Sequence, residues 1–268
     1  GLPMPLCGSD QSLAFFFPHL GRMSRNISKF IPGMGRPSTE TYSSSKRFLT
    51  AALLDCEEQI VVSKNFQIER DGSWNHYEGA FTVDTTANDL RFALLLPHKG
   101  KVYIDFVSMF PENTFCGHKN GLREDVAGML RDLRPDFVRW PGGCIVEGLT
   151  MDNRIKWKET IGDIIKRPGE YNLWGYRSTY GFGYHEFLQF CEDINAKGMF
   201  VCNAGMSCLF RNGDYWEGEK QINDLIQEAL DAIEYALGDT TTVYGKKRAE
   251  NGHAKPFPLK YVEVGNEN

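Results

Sequence analysis

The chain has 268 residues, 41% of them hydrophobic and 24% charged, and its 30 basic against 35 acidic side chains leave a formal net charge of −5. That length holds one large core or two medium ones. No apolar run reaches the ~18 residues of a membrane span, and the acidic balance argues against a nucleic-acid surface and for a neutral or weakly charged ligand.

Residues 1–55 read as an unassigned flank. The first fifty carry six basic and two acidic residues and a Ser43-Ser44-Ser45 run, the composition of a transit peptide without its cleavage pattern. Phe15-Phe16-Phe17 is too short for a signal core, and Asn26-Ile27-Ser28 matches a glycosylation sequon that arises often by chance. An extracellular or periplasmic location would suit the chain, but no clear signal peptide marks one.

Residues 56–110 alternate apolar and polar residues in short runs such as Y-E-G-A-F-T-V-D and L-R-F-A-L-L-L. Turn signals at Asp71-Gly72, Asn88-Asp89 and His98-Lys99-Gly100 separate them, which predicts an all-β, sandwich-like module. Trp74 and Tyr77 either stack on a ring-shaped ligand or fill the core.

After Pro111 the apolar period changes from 2 to 3.6. Leu122, Val126, Met129, Leu130 and Leu133 form one helical face, with Asn120 as cap and Pro135 as stop. A strand over Asp136–Trp140 then runs into Pro141-Gly142-Gly143. A polar and aromatic excursion over residues 145–182 follows, of a length more often functional than idle. A second helix carries Tyr184, Phe187, Leu188, Cys191 and Ile194, ending near Gly198, and a strand covers Met199–Asn203. A third helix carries Ile222, Leu225, Ile226, Ala229, Leu230, Ile233 and Leu237, and a last strand runs from Leu259 toward Glu267. This alternation predicts parallel strands with helical crossovers, an α/β sheet or barrel. Three such strands cannot close an eight-stranded barrel, so on the barrel reading the chain is a fragment.

The seven cysteines are scattered, with no C-x-x-C pair and no histidine at zinc spacing. His185-Glu186 lacks the second histidine of a zincin, so neither metal nor cofactor is expected. Cys191 and Cys202 read as small buried hydrophobes.

Several long motifs recur in an order and spacing that go beyond fold class. They are F-V-S-M-F-P-E-N-T-F (Phe106–Phe115), N-G-L-R-E-D-V-A-G-M-L, R-P-D-F-V-R-W-P-G-G-C-I-V-E-G (Arg134–Gly148), W-G-Y-R-S-T-Y-G-F-G-Y-H-E-F-L-Q-F-C-E-D, F-V-C-N-A-G-M-S and the closing Y-V-E-V-G-N-E-N. Over about residues 100–268 the chain resembles the α-L-arabinofuranosidases of glycoside hydrolase family 51. The β-rich segment ahead of it is similar to a carbohydrate-binding-module-like domain.

The resemblance implies a clan A (β/α)8 (TIM) barrel, of which residues 111–268 would be the N-terminal half. It implies a retaining hydrolase that releases arabinofuranosyl groups from arabinose-containing poly- or oligosaccharides. Glu267 matches the acid/base glutamate that closes strand 4. Nothing in the chain matches the nucleophile of strand 7, so the isolated chain is expected to be inactive, and its unpaired edges to limit its solubility. A homo-oligomer is conceivable for the full-length form.

A retaining glycosidase needs two carboxyl groups about 5–5.5 Å apart, one protonated to release the leaving oxygen and one to attack. Glu267 is expected to aim into a sugar pocket; the alternative is that Asn266-Glu267 merely begins a helix, as cap and first-turn acid. Asn266 would offer its amide to the sugar 2-hydroxyl, or be that cap. Arg139, mid-strand, requires a partner. By alternation Glu263 and Glu267 share a strand face, so Arg139 either bridges to these carboxylates and tunes Glu267 or makes a purely structural pair. Trp174 either walls the sugar site or anchors its own loop, and Asn203, at a strand end, either meets substrate or satisfies loop backbone groups. Cys144 stands where some members of the family place a substrate-binding asparagine. Another clan A glycosidase, or a non-catalytic carbohydrate-binding protein, remains an alternative reading.

Overall fold

The computed structural model describes residues 11–21, 48–69, 73–83, 89–97 and 102–267, with backbone alone in the first of these segments. The sequon and most of the predicted turn residues lie outside the described residues. The chain divides into two units, Gly1–Glu124 and Asp125–Asn268.

The first unit is antiparallel. Its described strands are β1 (Gln11–Gly21), β2 (Phe48–Leu54), β3 (Ile60–Gln67), β4 (Asn75–Val83), β5 (Arg91–Leu95), β6 (Tyr103–Asp105) and β7 (Ser108–Pro111). One sheet has β1 between β4 and the pair β6 and β7; the other has the order β3-β2-β5. The period-2 pattern does what it predicts in β4, where Gly79, Phe81 and Val83 are buried and Glu78, Ala80 and Thr82 are exposed. Phe81 and Val83 join Leu49, Ala51 and Leu53 of β2 and Phe66 of β3 in one core, so side chains from both sheets share it. Each fully buried residue of that size contributes about 1.5–3 kcal/mol.

Residues 60–67 form one continuous strand. Within residues 1–55, which the sequence leaves unassigned, Phe48–Leu54 is the central strand of its sheet. Its Thr-Ala-Ala stretch buries small residues that carry little apolar signal, Ala51 and Ala52 being inaccessible.

The second unit contains α1 (Glu124–Asp132), β8 (Phe137–Trp140), α2 (Gly143–Glu147), the short hairpin strands β9 (Glu170–Tyr171) and β10 (Arg177–Ser178), α3 (Tyr184–Asp193), β11 (Lys197–Cys202), α4 (Glu219–Leu237), α5 (Val243–Glu250) and β12 (Leu259–Val264). β8, β11 and β12 form a parallel sheet in the order β12-β11-β8. Met199 lies opposite both Arg139 and Tyr261, and Phe200 opposite Trp140 and Val262. Paired residues point the same way, so Trp140, Phe200 and Cys202 share one face while Arg139, Met199 and Glu263 share the other.

The first of these faces packs on helices. Trp140 and Phe200 meet Tyr184, Phe187 and Leu188 of α3, and Trp157, Ala232, Tyr235 and Ala236 complete the core. Trp140 stacks on Phe187 with ring centroids 5.8 Å apart, and Tyr184 lies 5.0 Å from Phe200. Gly198 belongs to β11 rather than ending α3; a Cβ there would lie 3.3 Å from Phe187.

Helix faces depart from the 3.6-residue reading. α1 begins at Glu124, and Asn120 sits in a turn with φ 55° rather than capping it. Its expected core stripe is exposed at Val126, Met129, Leu130 and Leu133, and Ala127 is the helix's buried residue. On α4 the buried positions are Leu225, Asp231, Ala232, Tyr235 and Ala236, while Ile226 and Leu230 face outward.

Candidate functional site at the carboxyl end of the parallel sheet

Parallel strands joined by helices send every strand-to-helix loop to the same edge of the sheet. The segments after β8, β11 and β12 therefore meet beyond their carboxyl ends. β8 ends at the cis peptide Trp140–Pro141, followed by Gly142 and Gly143, both with positive φ. Gly142 is needed twice over, for its φ of +64° and because a Cβ there would lie 2.3 Å from Nη1 of Arg139.

Arg139 uses the space so left. Its Nε donates to Glu263 Oε2 at 2.7 Å and its Nη2 to Glu263 Oε1 at 2.5 Å, a bidentate pair between the two outer strands. The same Nη2 donates to Asn266 Oδ1 at 3.0 Å. The hydrogen bonds from Arg139, followed by its charge, hold the Glu263 carboxyl below the usual glutamate range. Asn266 is buried and turns its Nδ2 toward Glu147 Oε2 at 3.4 Å. One chain of contacts thus runs from Glu263 through Arg139 and Asn266 to Glu147 on α2.

Glu267 follows directly, with φ 53° just past the Gly265 turn, and its charge adds to the forces that raise the Arg139 pKa, after those of Glu263. The strands align in parallel as the sequence implies, but the expected enclosure does not appear. Glu267 is exposed, just past β12, which among the described residues is an edge strand.

Asn203 and Trp174 lie outside this chain of contacts. Asn203 spends both amide hydrogens on backbone carbonyls, Val146 O at 2.9 Å and Met206 O at 3.0 Å, and its Oδ1 accepts from Gly205 N. It ties the loop after β11 to α2. Trp174 sits half exposed between β9 and β10, its backbone N bonded to Asn172 and its ring under the Arg211 guanidinium at 4.7 Å. Of the two aromatics in the first unit, Tyr77 packs edge-on against Phe66 at 5.9 Å, whereas Trp74 is exposed.

Sequence reasoning missed Glu147 and Cys208. Glu147 is buried three residues after Cys144 on α2, a spacing that puts both on one helix face. Cys208 arrives from the loop after β11, and the ligand atoms of Cys144, Glu147 and Cys208 lie within 4.8 Å of one another. The Pro-Gly-Gly-Cys-x-x-Glu spacing could have flagged the first two; nothing local in the sequence announces the third.

Parallel strands backed by helices, with polar side chains gathered beyond their carboxyl ends, make the second unit an α/β unit. The α-L-arabinofuranosidase 1 domain matches residues 129–268. An extracellular exo-α-L-arabinofuranosidase of Streptomyces chartreusis is 36% identical over 84% of this chain and 28% of its own length. α-L-Arabinofuranosidase 2 of Arabidopsis thaliana is 41% identical over 73% of this chain and again 28% of its own. The solved structure of arabinose-bound MgGH51 α-L-arabinofuranosidase superposes with a TM-score of 0.76 at 30% identity, covering 96% of this chain and 38% of that one. The chain belongs to the α-L-arabinofuranosidases of glycoside hydrolase family 51, and it spans less than a third of the length of these two relatives.

Proposed function

We propose that the protein carrying this chain is a retaining glycoside hydrolase that releases terminal α-L-arabinofuranosyl groups from arabinose-containing polysaccharides or oligosaccharides, with Glu267 as its proton donor. The observation that carries the reading is the Glu263–Arg139–Asn266 network at the carboxyl edge of the sheet. It fixes the residue immediately before Glu267 and keeps a cation close to the carboxylate that forms when Glu267 gives its proton to the leaving oxygen, and that then takes a proton from the attacking water.

The Asn266 Nδ2 would turn to the sugar 2-hydroxyl, a contact that strengthens as the anomeric carbon gains positive charge. Arg139 acts through Asn266 and Glu267 as a positioning residue. Asn203 holds the loop that supports α2, and Trp174 would present an aromatic face at the rim. In this reading the parallel sheet continues into a (β/α)8 barrel, with the face bearing Arg139 and Glu263 turned to the barrel interior. The two-sheet unit is a sandwich of carbohydrate-binding type. The second carboxylate of the double displacement belongs to a strand outside residues 1–268, so these residues by themselves turn over no glycoside.

The test is hydrolysis of an aryl α-L-arabinofuranoside and an aryl glucoside by the full-length protein and its Glu267→Gln variant. The arabinofuranoside is expected to be cleaved, with kcat lowered about 10²–10⁴-fold in the variant. Cleavage of the glucoside alone would replace arabinose as the substrate, and cleavage of neither would point to a binding protein.

A further inference from the structure

Cys144, Glu147 and Cys208 are brought together by α2 and the loop after β11, whose backbones are fastened to one another. Cys208 N donates to Gly148 O at 3.1 Å, immediately past α2, and Asn203 Nδ2 holds Val146 O inside it. The Cys208 carbonyl in turn accepts from Arg211, Asn212 and Gly213, which closes a tight loop around that residue. Ser207 and Asp214 bond across the base of this loop, and Asp214 Oδ2 accepts from Met151 N. The three side chains are therefore held from both the helix and the loop rather than meeting at mobile tips.

Their chemistry is unusual for a buried cluster. Glu147 is 5% exposed and Cys208 1% exposed. Among the described residues no Lys, Arg or His forms an ion pair with Glu147, whose hydrogen-bonding neighbours are the neutral Asn266 amide and the Cys144 thiol. A buried carboxylate facing two sulfurs is costly unless a positive charge joins them. Donor atoms within 4.8 Å of one another can close on a single ion at Zn–S distances of about 2.3 Å and Zn–O distances of about 2.0–2.2 Å with small rotamer shifts.

We propose that Cys144, Glu147 and Cys208 form a binding site for a thiophilic divalent cation of the zinc class, with the fourth coordination position open to solvent on the side of the partly exposed Cys144. Two thiolates and one carboxylate suit zinc better than magnesium or calcium, which prefer oxygen alone. Burial, and the proximity of Cys208 and Glu147, push the Cys144 thiol up to about 11. Metal ligation takes thiolates, so a thiol that binds the cation gives its proton to solvent. Affinity accordingly rises with pH. The site stands on this geometry alone and does not depend on the glycosidase reading.

The full-length protein, reduced and stripped of metal, would be titrated with Co²⁺ and then Zn²⁺. One equivalent of cobalt is expected to produce a thiolate-to-cobalt charge-transfer band that zinc abolishes, and zinc is expected to raise Tm. Cys144→Ser and Cys208→Ser should each lose the band, while Cys56→Ser, at an exposed cysteine outside the cluster, should keep it. Glu147→Gln should weaken cobalt binding by more than the 10–100-fold that loss of an outer-shell partner costs. Absence of a stoichiometric band in the reduced wild type would overturn the site, and that measurement needs no variant to fold. A band of full intensity in Cys208→Ser would overturn it as well. So would mass-spectrometric evidence that Cys144 and Cys208 are joined in a disulfide in protein that takes up no cobalt after reduction.

Discussion

Arg139 stands in mid-strand with about a third of its side chain exposed, as is that of Glu263. Its pairing is therefore partly screened by solvent. Replacing it with methionine removes two charge-assisted bonds to Glu263 and one to Asn266, and the expected loss is about 1–3 kcal/mol of stability. The variant should also change the acid limb. Because the folded-state pKa of Glu263 is lowered by Arg139, the stability it confers is fully present above the unfolded glutamate pKa and is lost as pH falls through the lower folded value. Tm measured against pH should fall on acidification in the wild type and show a shallower fall in Arg139→Met. Equal slopes would mean that the pair does not titrate with folding. Arg139→Lys is not expected to restore the wild-type profile, since an ammonium cannot hold both oxygens of Glu263 and Asn266 Oδ1 in one plane.

At the scale of elements, the helix ends show a second use of arginine. Arg248 on α5 is wholly buried and, among the described residues, forms no ion pair with a carboxylate. Its guanidinium donates to the carbonyls of Tyr235, Gly238, His253 and Ala254, two of them at the carboxyl end of α4, where the helix leaves oxygens without partners. Burial alone lowers its pKa, and the Tyr235 and Asp239 neighbours only partly offset that. Arg248→Met strands these oxygens in the interior. It should lower the urea midpoint by the equivalent of about 3 kcal/mol or more with an unchanged m-value, and lysine should not rescue it. A contrasting pair tests close packing at the start of α3. A Cβ on Gly183 would lie 1.9 Å from Thr160 O, whereas at Gly252, with φ +98°, nothing stands within 4 Å. Gly183→Ala is expected to cost about 2–3 kcal/mol and Gly252→Ala about 1 kcal/mol, from strain alone; equal losses in urea denaturation would refute the steric account.

The same elements show what was legible beforehand. Strong periodic runs placed α3, α4, β8, β11 and β12 to within a few residues, and alternation of Glu263 with Glu267 anticipated the Arg139 bridge. α5 escaped notice, because V-Y-G-K-K-R-A-E carries no apolar stripe; what anchors it is the buried charge of Arg248. The Cys144–Glu147–Cys208 cluster escaped as well, since its third member lies in a separate loop and only the chain path brings it in. The exposed stripe on α1 was misread for the opposite reason: the pattern is that of a buried face, but the described residues do not cover it.

That uncovered surface decides the behaviour of the whole molecule. In the second unit Met129 of α1 and Leu133 just past its end are 72% and 74% exposed, ahead of the outer strand β8 in the chain, and Val264 is 72% exposed on β12 at the opposite edge of the sheet. Ile226 and Leu230 add an apolar stripe along α4. Soluble monomers rarely present so many large apolar side chains flanking two unpaired strand edges, which are templates for pairing with other chains. The relatives are more than three times as long as the segment matched here, and in the barrel reading further strands and helices cover both flanks. The 268-residue chain expressed alone should therefore bind a hydrophobic dye and self-associate with rising concentration in light scattering, whereas the full-length protein should do neither. Substituting Val264→Lys and Leu133→Lys in the short chain should suppress the association while leaving its circular dichroism unchanged. A short chain that stays monomeric and dye-silent would show that these flanks need no partner, and the continuation of the sheet would lose its main physical support.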